Sequence, residues 1–333
     1  MDPPLPAEVF AEEGAPPGKP EAHYPPCLPT IQSHGFSEFW AFQFTPDSNA
    51  LATSDGNSWR VWDIRTGHEV GSATGLGSRL EIAANAKLAL CFDRALATFS
   101  LLEMPSLKKI RTLEPPNPLV GFNCAAISPN GKLVAVCAGK KIVLFSLVEN
   151  RMVEPEKERK TWDRVYTSMQ FGSNSHLITQ HHIIGEEHIT STMLWDLQGN
   201  DHPREIGAFS THAEVLSNLV SSIDRSIVFR SGWDGQVEFV NWRKNQLLFT
   251  LQAKKNGVAG IALSADNRTL LTGHQDGSIS ELSFPNGTKL QNFKAGIAKA
   301  KSIALSPDGQ ILAVSTGREI RLLHAKKFLQ ASK

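Results

Sequence analysis

Cysteine is scarce in this chain: Cys27, Cys91, Cys124 and Cys137 are the only four in 333 residues, and their spacing fits neither a metal site nor a disulfide framework. Cys124 and Cys137 are expected to face each other on neighbouring strands and to stay reduced in a cytosolic chain. No run approaches the roughly 20 apolar residues needed to cross a bilayer. Met1-Asp2-Pro3-Pro4 does not open a signal peptide. An intracellular, cytoplasmic location with no membrane partner is the default expectation. Signatures of catalysis are missing as well: there is no phosphate loop, nucleophile elbow or HExxH, and Ser231-Gly232-Trp233-Asp234-Gly235 reads as a turn between strands. No cofactor, catalytic residue or metal ligand is expected.

What is present is a turn that returns seven times. The copies are Thr45-Pro46-Asp47-Ser48, Ala83-Ala84-Asn85-Ala86, Ser128-Pro129-Asn130-Gly131, Gly172-Ser173-Asn174-Ser175, Ser222-Ile223-Asp224-Arg225, Ser264-Ala265-Asp266-Asn267 and Ser306-Pro307-Asp308-Gly309. Their first residues lie 38, 45, 44, 50, 42 and 42 positions apart, the period of a four-stranded propeller blade. An apolar stretch precedes each turn and an alternating one follows, then comes a second turn (Asp55-Gly56, Gly139-Lys140, Asp234-Gly235, Asp276-Gly277, Gly317-Arg318) and a third alternating run. Because Pro, Asp, Asn and Gly pre-set turn dihedrals, these runs read as antiparallel hairpins.

About seven residues beyond the second turn a bulky residue recurs: Trp62, Phe99, Phe145, Trp195, Val240, Leu282 and Leu323. Trp62-Asp63 and Trp195-Asp196 carry a full dipeptide. On these residues the chain resembles the WD-repeat β-propeller family with degenerate repeats. The resemblance implies an all-β fold, a seven-bladed propeller of four-stranded antiparallel blades over residues 28–333, behind a proline-rich tail at 1–27. It also implies, blade by blade, a tetrad of His, Ser or Thr, Asp and Trp. Blade one comes nearest, with His34, Thr53 or Ser54, Asp55 and Trp62, while blade five keeps His212 and Asp234 but has Val240 in place of Trp. Where a tetrad is lost, apolar packing can replace it. The family's closing strand would come from residues near 28 to 32, pairing with Glu319 to His324 as the outer strand of blade seven, with Phe328-Leu329-Gln330 as the rival for that place. Closure removes the last open sheet edge.

Residues 1–27 hold eight prolines and few large apolar side chains, the composition of a disordered, partly extended leader. The net charge of +1 hides an asymmetry. Residues 1–40 carry six acids against Lys19, a net of −5, and residues 286–333 carry nine bases against Asp308 and Glu319, a net of +7. This pattern suits an acidic partner, or contact between the tail and the last blade. Nucleic acid is disfavoured because the bases lack an interleaved aromatic platform. His181-His182-Ile183-Ile184-Gly185-Glu186-Glu187-His188 has metal-binding residue types, yet in a hairpin its side chains alternate between faces, so a solvated turn is the better reading.

Function is therefore sought on the surface. In the resembled family one rim gathers the second turns and the connectors between blades, and it commonly receives peptides or domains. On that rim Trp233 is an indole in a turn where a small residue would serve, and large aromatics with Arg are usual interface anchors. Arg230, His181, His182, His274, Gln275, Lys140, Arg164 and Arg318 are expected around the same opening. The expected function is a monomeric, non-enzymatic scaffold that binds a partner protein or peptide. The alternative is a propeller enzyme of the metal-dependent hydrolase or lactonase type, which needs acids, Asn or His converging on the axis, where the inner strands instead read Ala-Ile-Ser, Ile-Ala-Leu and Asn-Leu-Val.

Overall fold

The computed structural model describes residues 24–25, 27–33, 38–39, 41–76, 79–93, 98–113, 122–138, 141–153, 164–183, 190–197, 204–211, 220–222, 226–231, 236–244, 246–252, 258–264 and 266–326. Within them, twenty-eight strands form seven four-stranded sheets. Six sheets are sequential blades spanning 41–74, 79–113, 122–153, 164–211, 220–252 and 258–294. No helix among the described residues is long and apolar enough to cross a membrane.

The seventh blade closes the ring as the sequence suggests. Strand Thr30–Gln32 adds to the outside of Glu319–His324, with Ile31 opposite Ile320, so the first strand of the chain completes the last blade. The rival segment 328–330 lies outside the described residues. Closure is equally plain in the packing. Seven hydrophobic clusters each join two neighbouring blades, and one of them packs Ile31, Ile311, Ala313 and Ile320 of blade seven against Phe44, Leu51 and Trp62 of blade one. Blades six and seven approach closely enough to require glycine. Gly260 and Gly273, paired across two strands, leave room for Ile303, and a Cβ on Gly273 would lie 2.6 Å from Ile303 Cγ2.

The repeated first turn has a common mechanism. Its opening hydroxyl accepts a backbone N–H five residues on (Ala50 to Thr45, Leu133 to Ser128, Ile227 to Ser222, Thr269 to Ser264, Ile311 to Ser306). In four copies that hydroxyl donates to the Asp or Asn two places later, at 2.5–2.8 Å. The fourth residue is left-handed, with φ of 61° at Ser48, 55° at Ala86, 73° at Gly131, 56° at Asn267 and 70° at Gly309. Such φ values favour Gly and Asn, which is why three of the five copies end in Gly131, Asn267 and Gly309.

In blade one, Trp62 Nε1 donates to Thr53 Oγ1 at 2.8 Å, which settles the choice between Thr53 and Ser54; Ser54 Oγ instead accepts from Gly56 N. Blade four repeats the bond, Trp195 Nε1 to Thr179 Oγ1 at 2.8 Å. In blade two the matching position is Leu102, which stands opposite Ala89 as Trp62 stands opposite Leu51; Phe99 lies three residues earlier, at the place of Trp59. His34, His212 and Asp234 lie outside the described residues. The three buried cysteines are reduced, as is exposed Cys27, and the Cys137 thiol is pushed far up by its hydrogen bond with Cys124 and by burial.

The described end of the leader, Tyr24 and Pro25, is docked, where its composition suggested a free segment. The Tyr24 hydroxyl lies 2.7 Å from Asp308 Oδ2 and 3.0 Å from Ser48 O, and Pro25 O accepts from His324 Nε2 at 2.8 Å. Tyr24 thus spans the first turns of blades seven and one, beside the cluster that seals the ring.

Candidate functional site

Antiparallel blades place the first and third turns at one end of the ring and the second turns, with the connectors between blades, at the other. The described second turns of blades six and seven therefore share a rim. Gln275 is exposed in the former and Arg318 in the latter. His274 is half-buried at the end of strand Thr269–His274, and its ring is engaged within blade six: Nε2 lies 3.2 Å from Thr272 Oγ1 and 3.0 Å from Ser280 Oγ.

That placement explains a loss visible in the sequence. Leu282 opposes Leu270 as Trp62 opposes Leu51, so Thr272 is the counterpart of Thr53 in a blade without the indole donor. His274, two residues along the same strand, meets Thr272 in its stead. A buried hydroxyl left without a partner would cost roughly 1–3 kcal/mol, and the imidazole removes that penalty.

His181 is turned inward rather than onto the rim. It is 1% exposed, with its ring centroid 5.7 Å from that of Tyr166. Arg164 opens strand Arg164–Ser173 opposite Ile183, His182 stands opposite Val165, and Arg230 stands opposite Glu238. Trp233 and Lys140 lie outside the described residues.

The charge asymmetry of the two ends of the chain meets in a cluster at the seam of the ring. Glu38, in the connector entering blade one, pairs with Lys301, in the connector entering blade seven, at 2.5 Å. The Glu38 carboxyl is held below its ordinary range by the hydrogen bond from Lys301, then by the Lys301 charge, and also by the Arg318 charge. The underlying backbone is fixed: Ser33 N donates to Arg318 O, Phe39 N to Gly317 O and Lys301 N to Ser315 O. Nothing in the periodicity points to this cluster, since its residues come from three unlike loops.

Toward the axis, the described inner strands carry a single carboxylate, Glu81, with Gln43 donating to Leu80 O and Gln170 further round. Among the described residues no group of three or more His, Cys, Asp or Glu is placed to hold a metal ion.

Comparison with known proteins agrees with this architecture. The family model for the WD domain, G-beta repeat (WD40), matches residues 25–63 and 245–280. Both segments have one phase, an outer strand followed by the first three strands of the next blade, so the first match itself runs through the closing strand Thr30–Gln32. No curated protein matches the sequence. Among solved structures, the β-propeller domain of Cps50 (Swd1) from Myceliophteria thermophila is similar with a TM-score of 0.68 at 13% identity, over 89% of this chain and 99% of that one. At that identity the likeness concerns the fold. The chain is a seven-bladed β-propeller in which two segments, residues 25–63 and 245–280, match the WD40 repeat.

Proposed function

We propose that this protein is a non-enzymatic scaffold whose rim of second turns and inter-blade connectors holds a partner protein or peptide. The observation that carries the reading is the closed ring itself. Seven rigid blades present their loops at fixed positions, and loops held by a stiff scaffold are where binding concentrates. The WD40 matches support it, because propellers of this type generally mediate protein interactions. Among the described residues the inner strands carry one carboxylate, Glu81, whereas catalysis at the axis would need several acids converging there.

Trp233 is the proposed anchor. Between Gly232 and Asp234-Gly235 an indole has little same-strand surface to cover, and a large aromatic at an interface centre can contribute about 2 kcal/mol or more. Arg230, Gln275, Arg318, Lys140, Arg164 and His182 would surround it. His274 would act by shaping blade six, since its ring is already engaged, and His181 by packing behind the rim. Capture from the native cell tests this. Trp233→Ala should lose the partner recovered by the wild type while melting within about a degree of it, as befits a surface substitution. Retention of the partner, or early unfolding, would place the site elsewhere.

A further inference from the structure

The seam of the ring carries its own ligand chemistry. Lys301 and Glu38 are both about half exposed, at 52% and 46%. A Cβ placed on Gly317, whose φ of 106° keeps the turn open, would lie 3.0 Å from Lys301 Nζ. The ammonium therefore lies over the second turn of blade seven, next to exposed Arg318. Lys299 is exposed on the other side of buried Ala300, so the connector turns two lysines outward. Lys301 and Arg318 thus both act on one carboxylate, Glu38, with exposed Lys299 two residues along the connector. The ring-closing backbone bonds hold the group in place, so the cluster is preformed rather than assembled by its ligand.

We propose that this cluster is a docking site for an acidic peptide, and that Glu38 is a built-in competitor occupying it in the free protein. The proposal deepens, and rests on, the reading of this rim as the partner-binding face. The class of partner follows from what the site already holds, a carboxylate accepting from Lys301 with Arg318 in Coulombic reach. An exposed ion pair is worth little, so Glu38 can yield to a second carboxylate whose neighbours also engage Arg318 and Lys299. Without the side chain of Glu38, the incoming acid no longer competes.

Fluorescence anisotropy of a labelled hexaglutamate peptide with the full chain, at low salt, tests this. The Lys301→Ala/Arg318→Ala double variant should weaken binding roughly tenfold, and Glu38→Gln should tighten it roughly two- to fivefold, the worth of one exposed ion pair. Both variants should melt within about a degree of the wild type. The Glu38 result is the discriminating one, because a merely structural ion pair would give weaker binding or none on its removal. Unchanged or weaker binding in Glu38→Gln, unchanged binding in the double variant, or tighter binding of hexauridylate than of hexaglutamate would overturn the proposal. If hexaglutamate fails to bind while Trp233→Ala still loses the native partner, this site falls and the rim reading stands. If the peptide behaves as expected but Trp233→Ala keeps its partner, the Trp233 anchor falls and this site stands.

Discussion

Removing one hydroxyl at Tyr24 should loosen the ring. The phenol donates to the Asp308 carboxylate at 2.7 Å, Asp308 N donates to Ser48 Oγ at 3.0 Å, and the Arg65 guanidinium lies 5.8 Å from the ring centroid. A hydrogen bond to a charged group contributes roughly 1.5–3 kcal/mol when buried; with Tyr24 only half-buried, about 1 kcal/mol is the reasonable figure. Spread over an unfolding entropy of about 0.6 kcal/mol/K for a chain of this size, Tyr24→Phe should lower the melting temperature by about 1–2 °C. Deleting residues 1–25 also removes the ring from its apolar seat and the Pro25 carbonyl from His324, and the loss should reach about 4 °C. Deleting residues 1–23 should leave the melt unchanged, whereas deleting 1–36, which takes the closing strand, should be far worse than either. The alkaline limb gives an independent check. Burial and then the bond to Asp308 raise the Tyr24 pKa above the ordinary tyrosine value. The folded state therefore keeps a proton that the unfolded chain gives up, so this contribution is whole below about pH 10 and is lost as pH rises above it. The wild type should lose stability above pH 10 more steeply than Tyr24→Phe. Coincident melts of the wild type, Tyr24→Phe and the 1–25 deletion would refute the latch.

Gly273→Ala should destabilise by about 1–3 kcal/mol through collision with Ile303, and by clearly less in an Ile303→Ala background, as denaturant melts of the double cycle would show. Thr53→Val and Thr179→Val should each lose about 1 kcal/mol by stranding an indole N–H, with the greater effect in blade one, where Trp62 is buried, than in blade four, where Trp195 is half-buried. Asp55→Ala and Asp276→Ala should have similar effects, because each carboxylate accepts from the turn it begins, Asp55 from Asn57 N and Ser58 N, Asp276 from Ser278 N and Oγ. The Ser264 hydroxyl holds the Asp266 carboxyl below its usual range, so its contribution is present above about pH 4 and is lost as pH falls; Asp266→Asn should flatten the acid limb of unfolding.

The elements the sequence made legible are those that repeat. Ser-x-Asp and Thr-x-Asp turns recur because one local hydrogen-bond pattern, hydroxyl to carboxylate and amide to hydroxyl, needs the same residue types each time. The closing strand was legible for the same reason, since Leu28 to Gln32 aligns with the outer strand of blade six. What stayed hidden is what occurs once. Tyr24 meets Asp308 across 284 positions with no second copy to mark it; the charge asymmetry offered contact between the tail and the last blade, but only the proline-rich composition was specific to the leader, and it pointed to a free one. His274 replaces an indole from a different strand position, so no register comparison finds it. Phe99 shows the limit of spacing within a blade, since counting from a variable second turn misplaces the Trp position that strand pairing assigns to Leu102.

Hydrogen–deuterium exchange of the full chain, with and without the partner recovered by native capture, is the most direct test of the rim as the binding face. The account predicts slowed exchange confined to the second turns and connectors, at residues 230–236, 274–277, 299–301 and 316–318. Protection at the opposite end, in the first turns at 45–49, 128–131 and 306–309, would contradict it.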